Sequence, residues 1–294
     1  MENKYELNTG TNFDIPKARK RRTFMPKLVL HFVLGFGALV MIFPFIWTIL
    51  SSLKDMSQIF VIPPKWIPDP FVWSNFLNSL QAMPFNLAYF NSFYITVIIV
   101  GFTLFTASMA AYAFAKINFK GANLLFILFL ATMMIPKQVT MIPLYLVMDK
   151  LGWLDTHLTL IVPGALFNAF AVFLLRQFVM GIPKELEEAA IMDGAGYVRI
   201  YWNIILPLLR PALAAIGIFT FMQSWNNFLD PLIYLNSPEN FTVPLLLNSF
   251  KGLYTADWSL MMAGTVISII PVLIVYIIAQ RHIIEGISIT GMKG

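Results

Sequence analysis

PKELEEAAIMDGAGYVRIYWNIILPLLRP, from Pro183 to Pro211, is the stretch on which the reading of this chain turns. It is the densest run of charge in an otherwise apolar sequence, and it lies between two hydrophobic segments rather than at a terminus. Glu185, Glu187 and Glu188 fall in what would be the first turns of a helix, where the dipole favours anions. Pro183 ahead of them suits a first turn, because its missing N–H has no intrahelical partner to lose. Ala189, Ala190 and Ile191 continue the helix, and Gly194 and Gly196 can end it. A second helix is predicted from Val198 to Leu206, with Pro207 and Pro211 setting the approach to the next apolar run.

Working outward, 58% of the 294 residues are hydrophobic and 12% are charged, against about 25% charged in a soluble domain. Mean hydropathy is +0.73. The solvent implied is the bilayer. A pI near 9.3 could point to nucleic acid, but the cations stand in short loops beside apolar spans, so nucleic-acid binding is set aside. The absence of cysteine excludes disulfides, thiolate metal sites and cysteine nucleophiles. His31, His157 and His282 are scattered singly, with no ligand spacing, so no metal site is expected.

Six spans are predicted, at 28–52, 91–115, 122–148, 158–178, 212–235 and 260–280, each near the roughly 20 residues a bilayer core requires. Residues 1–27 read as a disordered cytoplasmic tail bearing the cluster Lys17, Arg19, Lys20, Arg21 and Arg22. The first span is too long for a secretory h-region and no small-residue cleavage pattern follows it. Proline density between Asp55 and Ala88, with Trp66 and Trp73, reads as an outer connection carrying short amphipathic pieces. Ala107, Ala111 and Ala115 give the second span a small-residue face for close helix approach. Pro136 and Pro143 leave the outer boundary of the third span open. Residues 281–294 form a polar tail.

By this assignment 15 of the 20 Lys and Arg side chains lie on the face carrying both termini and the 179–211 insert, and 5 lie opposite. The positive-inside bias therefore makes that face cytoplasmic. No Asp, Glu, Lys or Arg is placed well inside a span, Asp230 standing only near the outer end of the fifth. Gln223, Asn226, Asn227 and Asp230 recur at helical spacing on one stripe of that span, and polar groups there should face helices or a watery cavity. Trp225 could stack on a sugar ring or serve as a buried packing residue. Asn168, Thr265 and Ser268 are further candidates, each able to satisfy itself within its own helix. From these residues alone the insert is either a device that grips a partner or an ordinary amphipathic interfacial loop.

The spacing Glu188-Ala189-Ala190, three residues, Gly194, nine residues, Ile204, one residue, Leu206-Pro207 resembles the EAA loop of ABC importer permeases at every fixed position. The flanking IPKELEEAAIMDGAG and ILPLLRPAL are similar to the carbohydrate-uptake, MalG-like branch. The likeness extends to Ser224-Trp225-Asn226-Asn227-Phe228 and to Gln280-Arg281, Glu285-Gly286 and Lys293-Gly294, so it covers all six spans. Asn227 departs from the family, where an acidic residue is frequent, and residues 287–291 are only loosely similar. The resemblance implies an all-α integral membrane protein of the type I (MetI-like) permease fold, multi-pass in the cell membrane, with both termini cytoplasmic. It implies that Glu188, Ala189, Ala190, Asp193, Gly194, Ile204, Leu206 and Pro207 form the ATPase-docking loop, with Glu188 meeting a cation and Gly194 permitting the turn. Partners implied are a second, MalF-like permease, two MalK-like ATPases and an extracytoplasmic binding protein. ATP and Mg would reside in the ATPases, in keeping with the lack here of any G-x-x-x-x-G-K-[ST] segment. The C-terminal tail is either inserted between the ATPases or a disordered end. Asn168, Gln223, Trp225, Asn226, Asn227 and Asp230 are assigned to the translocation path.

Two other classes compete. An ion-coupled secondary transporter of a small neutral solute would normally carry ionisable residues inside its spans. An intramembrane enzyme would need a nucleophile, metal cluster or acid-base pair, and the sequence offers none within reach of one another.

Overall fold

The computed structural model describes residues 24–166, 168–252 and 257–291. Helix α1 (Phe24–Ser52) is followed by the short α2 (Met56–Ile59) and α3 (Ser74–Ala82) and the long α4 (Phe85–Lys116). Next come α5 (Ala122–Ala131), extended by a 3-10 turn at Thr132–Met134, then α6 (Lys137–Lys150), α7 (Leu158–Leu166) and α8 (Ala169–Met180). The charged stretch forms α9 (Glu185–Met192) and α10 (Tyr197–Ile200), which continues through a π turn at Tyr201–Ile205 into α11 (Leu206–Leu208). The chain then runs through α12 (Arg210–Trp225), α13 (Leu229–Tyr234), α14 (Val243–Ser249) and α15 (Trp258–Gly291).

Residues up to Trp47 and from Thr48 onward form two units. In the first, α1 is apolar on all sides, with Phe32 and Met41 each 75% exposed. Such a surface suits lipid and not water. The disordered tail expected over 1–27 lies almost wholly outside the described residues. Among the described residues four stretches are long and apolar enough to cross a bilayer, and two bent pairs bring the number to six if each is one span.

Three of the expected spans are interrupted, each for a local reason. The third bends by 100° between Met134 and Lys137. Ile135 is extended (φ −82°, ψ 114°), the conformation that a following proline, here Pro136, imposes on its neighbour. The fourth breaks at Asn168, whose non-helical backbone (φ −97°, ψ 83°) caps α8. Its side chain accepts from the Ala171 N–H at 2.9 Å. The fifth ends at Trp225 rather than running on to 235, and α13 restarts at Leu229. Pro231 lacks an N–H and would clash with the carbonyl four residues back in a continuous helix, so it fits a new first turn instead. The stripe Gln223–Asn226–Asn227–Asp230 is therefore a helix end plus a turn and not one helical face. The second helix begins at Phe85, six residues ahead of expectation, and α15 keeps a helical backbone through Gly291, inside the expected tail.

Helix α4 is the centre of the second unit, with α7, α8 and α12 packed on it. Ala107 and Ala111 are 2% and 0% exposed, which is the close approach that their four-residue spacing suggested. At the α9 end the core gathers these alanines with Tyr112, Leu175, Ile200, Ile205 and Leu209. At the other end Ile95, Ile99, Leu160 and Tyr234 meet. The proline-rich 53–84 connection is tied down by Asn75, whose Nδ2 donates to the Ser52 and Lys54 carbonyls at 3.0 and 2.9 Å.

Candidate functional site

The charged stretch folds as the sequence predicts, into a helix, a glycine turn and a second helix. Gly194 sits at φ +79°, and a Cβ there would touch nothing within 4 Å. Its requirement is thus the left-handed backbone alone, which other residues adopt at a cost of about 1–2 kcal/mol. The candidate docking residues then divide between two faces. Glu188, Ala189 and Asp193 are exposed, beside Leu186, Ile191 and Met192, the last 88% exposed. Ala190, Ile204 and Leu206 pack on the core of the bundle, and Pro207 stands in the first turn of α11. One face anchors the insert and the other is presented outward.

Nearer the opposite end, a cavity of about 480 Å³ is bounded by residues of α4, α6, α7, α8, α12 and α13. Asn168, Gln223, Asn227 and Asp230, four of the six residues assigned to the translocation path, line it. So do Thr132, Thr159, Thr220, Ser224 and Lys137, which were not among the residues assigned to the path. The breaks contribute Thr132 and Lys137 from the third span, Asn168 from the fourth and Asn227 and Asp230 from the fifth, while Thr159, Thr220, Gln223 and Ser224 reach the cavity from within α7 and α12. Lys137 lies within the predicted 122–148 span and corrects the expectation that no charged residue stands well inside a span: the break at Pro136 places it at the start of α6. Its Nζ lies 2.5 Å from Asp230 Oδ2, and Asn227 Nδ2 donates to the same oxygen at 2.8 Å. Ser224 and Thr96 hydroxyls pair at 3.0 Å.

Trp225 and Asn226 do not line the cavity. Trp225 is 2% exposed, donates from Nε1 to the Ser268 carbonyl at 3.1 Å and stacks on Phe221 with centroids 5.8 Å apart. It is the packing tryptophan of the two alternatives. Asn226 donates to the Met222 carbonyl at 2.9 Å, closing its own helix end. Thr265 and Ser268 likewise bond within α15, to the Met261 and Thr265 carbonyls.

Beyond the cavity, Asp155 holds the connection between α13 and α14. Asp155, at φ +57°, accepts from the Asn236 and Ser237 N–H groups at 2.9 Å each and from the Ser237 hydroxyl. Asn91 Nδ2 donates to the Glu239 and Phe241 carbonyls at 2.8 and 3.1 Å. Burial opposes ionisation of Asp155, but the bonds from Ser237, Asn236 and Asn240 outweigh it and hold the carboxyl down at about 2. Because the folded value lies below the ordinary one of about 3.9, its stabilising contribution is present above that value and is lost as pH falls toward 2. Thermal melts of the detergent-purified protein should therefore show an acid-side loss between about pH 4 and 2 that Asp155→Asn reduces. Identical acid limbs in the two proteins would contradict this role.

Residues 103–288 match the family described as "Binding-protein-dependent transport system inner membrane component". The arabinooligosaccharides transport system permease protein AraQ of Halalkalibacterium halodurans is 37% identical over 94% of this chain and 100% of its own length. The lactose transport system permease protein LacG of Rhizobium radiobacter is 32% identical over 90% of this chain and 96% of its own. A chain in the crystal structure of a bacterial ABC transporter that imports the acidic polysaccharide alginate superposes with a TM-score of 0.78 and 28% identity, covering 90% of this chain and 98% of that one. A helical fold with broken apolar spans and a match over most of its length place this chain in the inner membrane component family of binding-protein-dependent, ABC-type import systems.

Proposed function

We propose that this chain is one of two permease subunits of an ATP-driven importer of neutral oligosaccharides, with α9 docked at the cytoplasmic face on an ATPase subunit. The observation that carries the reading is the outward face of α9, where Leu186, Ile191 and Met192 stand exposed beside Glu188 and Ala189. An apolar patch at a water-facing end of a bundle calls for a protein partner. The excess of cations on that side supports a cytoplasmic position. ATP and Mg belong to the partner ATPases, whose closure would swing the docked helices and switch the spans between inward and outward access. A similar permease subunit would supply the other half of the path, and an external binding protein would deliver the cargo.

The cargo class rests on the cavity. Its amides and hydroxyls suit a polyhydroxylated ligand, and its two charges pair with each other at 2.5 Å and leave no net charge. The names of AraQ and LacG, which refer to arabinooligosaccharides and lactose, fit the same class. The complex reconstituted in liposomes, with its binding protein outside, should take up labelled arabinotriose or lactose only when ATP is enclosed. Uptake driven by a proton or sodium gradient without ATP would instead establish the ion-coupled alternative.

A further inference from the structure

Almost all of α9 faces outward, so the means by which its motion reaches the bundle must lie in the few side chains that face inward. These are Glu187 and Ala190. Ala190 makes an apolar contact, which is non-directional. Glu187 does not: its side chain is 15% exposed and its Oε1 lies 2.8 Å from Nζ of Lys116, whose side chain is 6% exposed. Oε1 receives no aligned hydrogen bond from another described residue, so the Lys116 charge is what compensates it. The same ammonium donates to the Ile182 carbonyl at 2.9 Å, at the start of the insert. Lys116 is the last residue of α4, the helix on which α7, α8 and α12 pack. A cation also complements the C-terminal end of that helix.

One buried ammonium thus binds the beginning of the insert, its first helix and the end of the central span. Breaking the pair strands a carboxylate in a partly desolvated place, so the three elements are held to move together. Arg176 makes a parallel tie from α8, donating to the Phe114 carbonyl at 3.2 Å and lying 4.2 Å from the Phe126 ring centre. That tie does not touch α9.

We propose that Lys116 is a positioning residue for energy coupling: paired with Glu187, it fastens the docking helix to α4, so that displacement of α9 by an ATPase reaches the spans. This rests on the permease reading above and adds the link through which the docked helix acts. Its loss should uncouple without undocking, because the outward residues Glu188, Ala189, Ile191 and Met192 are untouched.

The test uses the whole complex with Met133→Cys, a cavity-lining position in a chain that has no cysteine of its own. Labelling of this thiol by maleimide, with and without ATP and vanadate, reports whether nucleotide moves the spans, whatever the cargo. The parent complex should change its labelling rate with nucleotide. With Lys116→Met the ATPase should still co-purify and hydrolyse ATP while the nucleotide-dependent change shrinks by about tenfold or more. Lys116→Arg, which keeps the charge, should retain it. An unchanged response in Lys116→Met overturns the proposal, as does loss of the ATPase from that complex or an equal loss of response in Lys116→Arg. Failure of the parent itself to retain an ATPase would instead overturn the proposed docking of α9 on which this rests.

Discussion

Gly264→Leu should prevent accumulation of a monodisperse protein, and Gly264→Ala should fold with a lowered melting temperature. Gly264 lies in α15 where a Cβ would come within 2.7 Å of Leu247 Cδ2, 2.9 Å of Ser79 Oγ and 3.2 Å of Phe85 Cε2. Three elements, α14, α3 and α4, close on one point, and Phe85 and Leu246 beside it are each 1% exposed. Close approach of this kind is what holds helices together in lipid, where apolar burial drives little association. The Leu247 methyl can rotate away from one added carbon, so alanine costs about 1–3 kcal/mol. Leucine has no direction left in which to place its branch. Fluorescence-detected size-exclusion profiles and melts of the three proteins check this; a leucine variant as stable as the parent would show that α15 does not pack as described.

The second large effect is expected on the outward face of α9. Ile191→Arg with Met192→Arg should abolish co-purification of the ATPase while the permease still inserts and melts normally. The two side chains are 53% and 88% exposed, so neither supports the fold of this chain. Covering an aliphatic side chain fully is worth about 1.5–3 kcal/mol, and loss of both corresponds to roughly a hundredfold or more in affinity. Undiminished capture of the ATPase would place the docking surface elsewhere. The contrast with Lys116→Met is informative, since the double change removes grip and the single change removes transmission.

The architecture was legible in the sequence wherever a signal is local. Six apolar runs, the glycine at 194 and the charged stretch between two spans each declare themselves within a dozen residues. The small face at Ala107 and Ala111 followed from spacing alone. The cavity was only half legible. Asn168, Gln223, Asn227 and Asp230 stood out as polar residues in apolar runs, yet their stripe was drawn on a continuous helix that Pro231 forbids. Ile135-Pro136 carried a visible break signal, and the sequence reading allowed for an uncertain boundary but not for a 100° turn. Lys137 was visible as a charge inside the predicted third span and was passed over; only its pairing with Asp230, 93 residues away, has no local signature. Lys116 and Glu187 escaped for the same reason: a cation after a span and an anion at a helix start read as ordinary termini until the fold joins them. The candidate docking residues show the converse, since one motif holds both outward groups and anchors, and periodicity alone does not separate Ala189 from Ala190.

The central claim is that α9 meets an ATPase at the cytoplasmic face, and a single cysteine tests it most directly. Met192→Cys, in a chain without native cysteine, should crosslink to the ATPase subunit of the assembled complex through a short bifunctional reagent. In intact cells it should be shielded from membrane-impermeant maleimide. Labelling of that cysteine from outside the cell, or a crosslink only to the external binding protein, would contradict the claim.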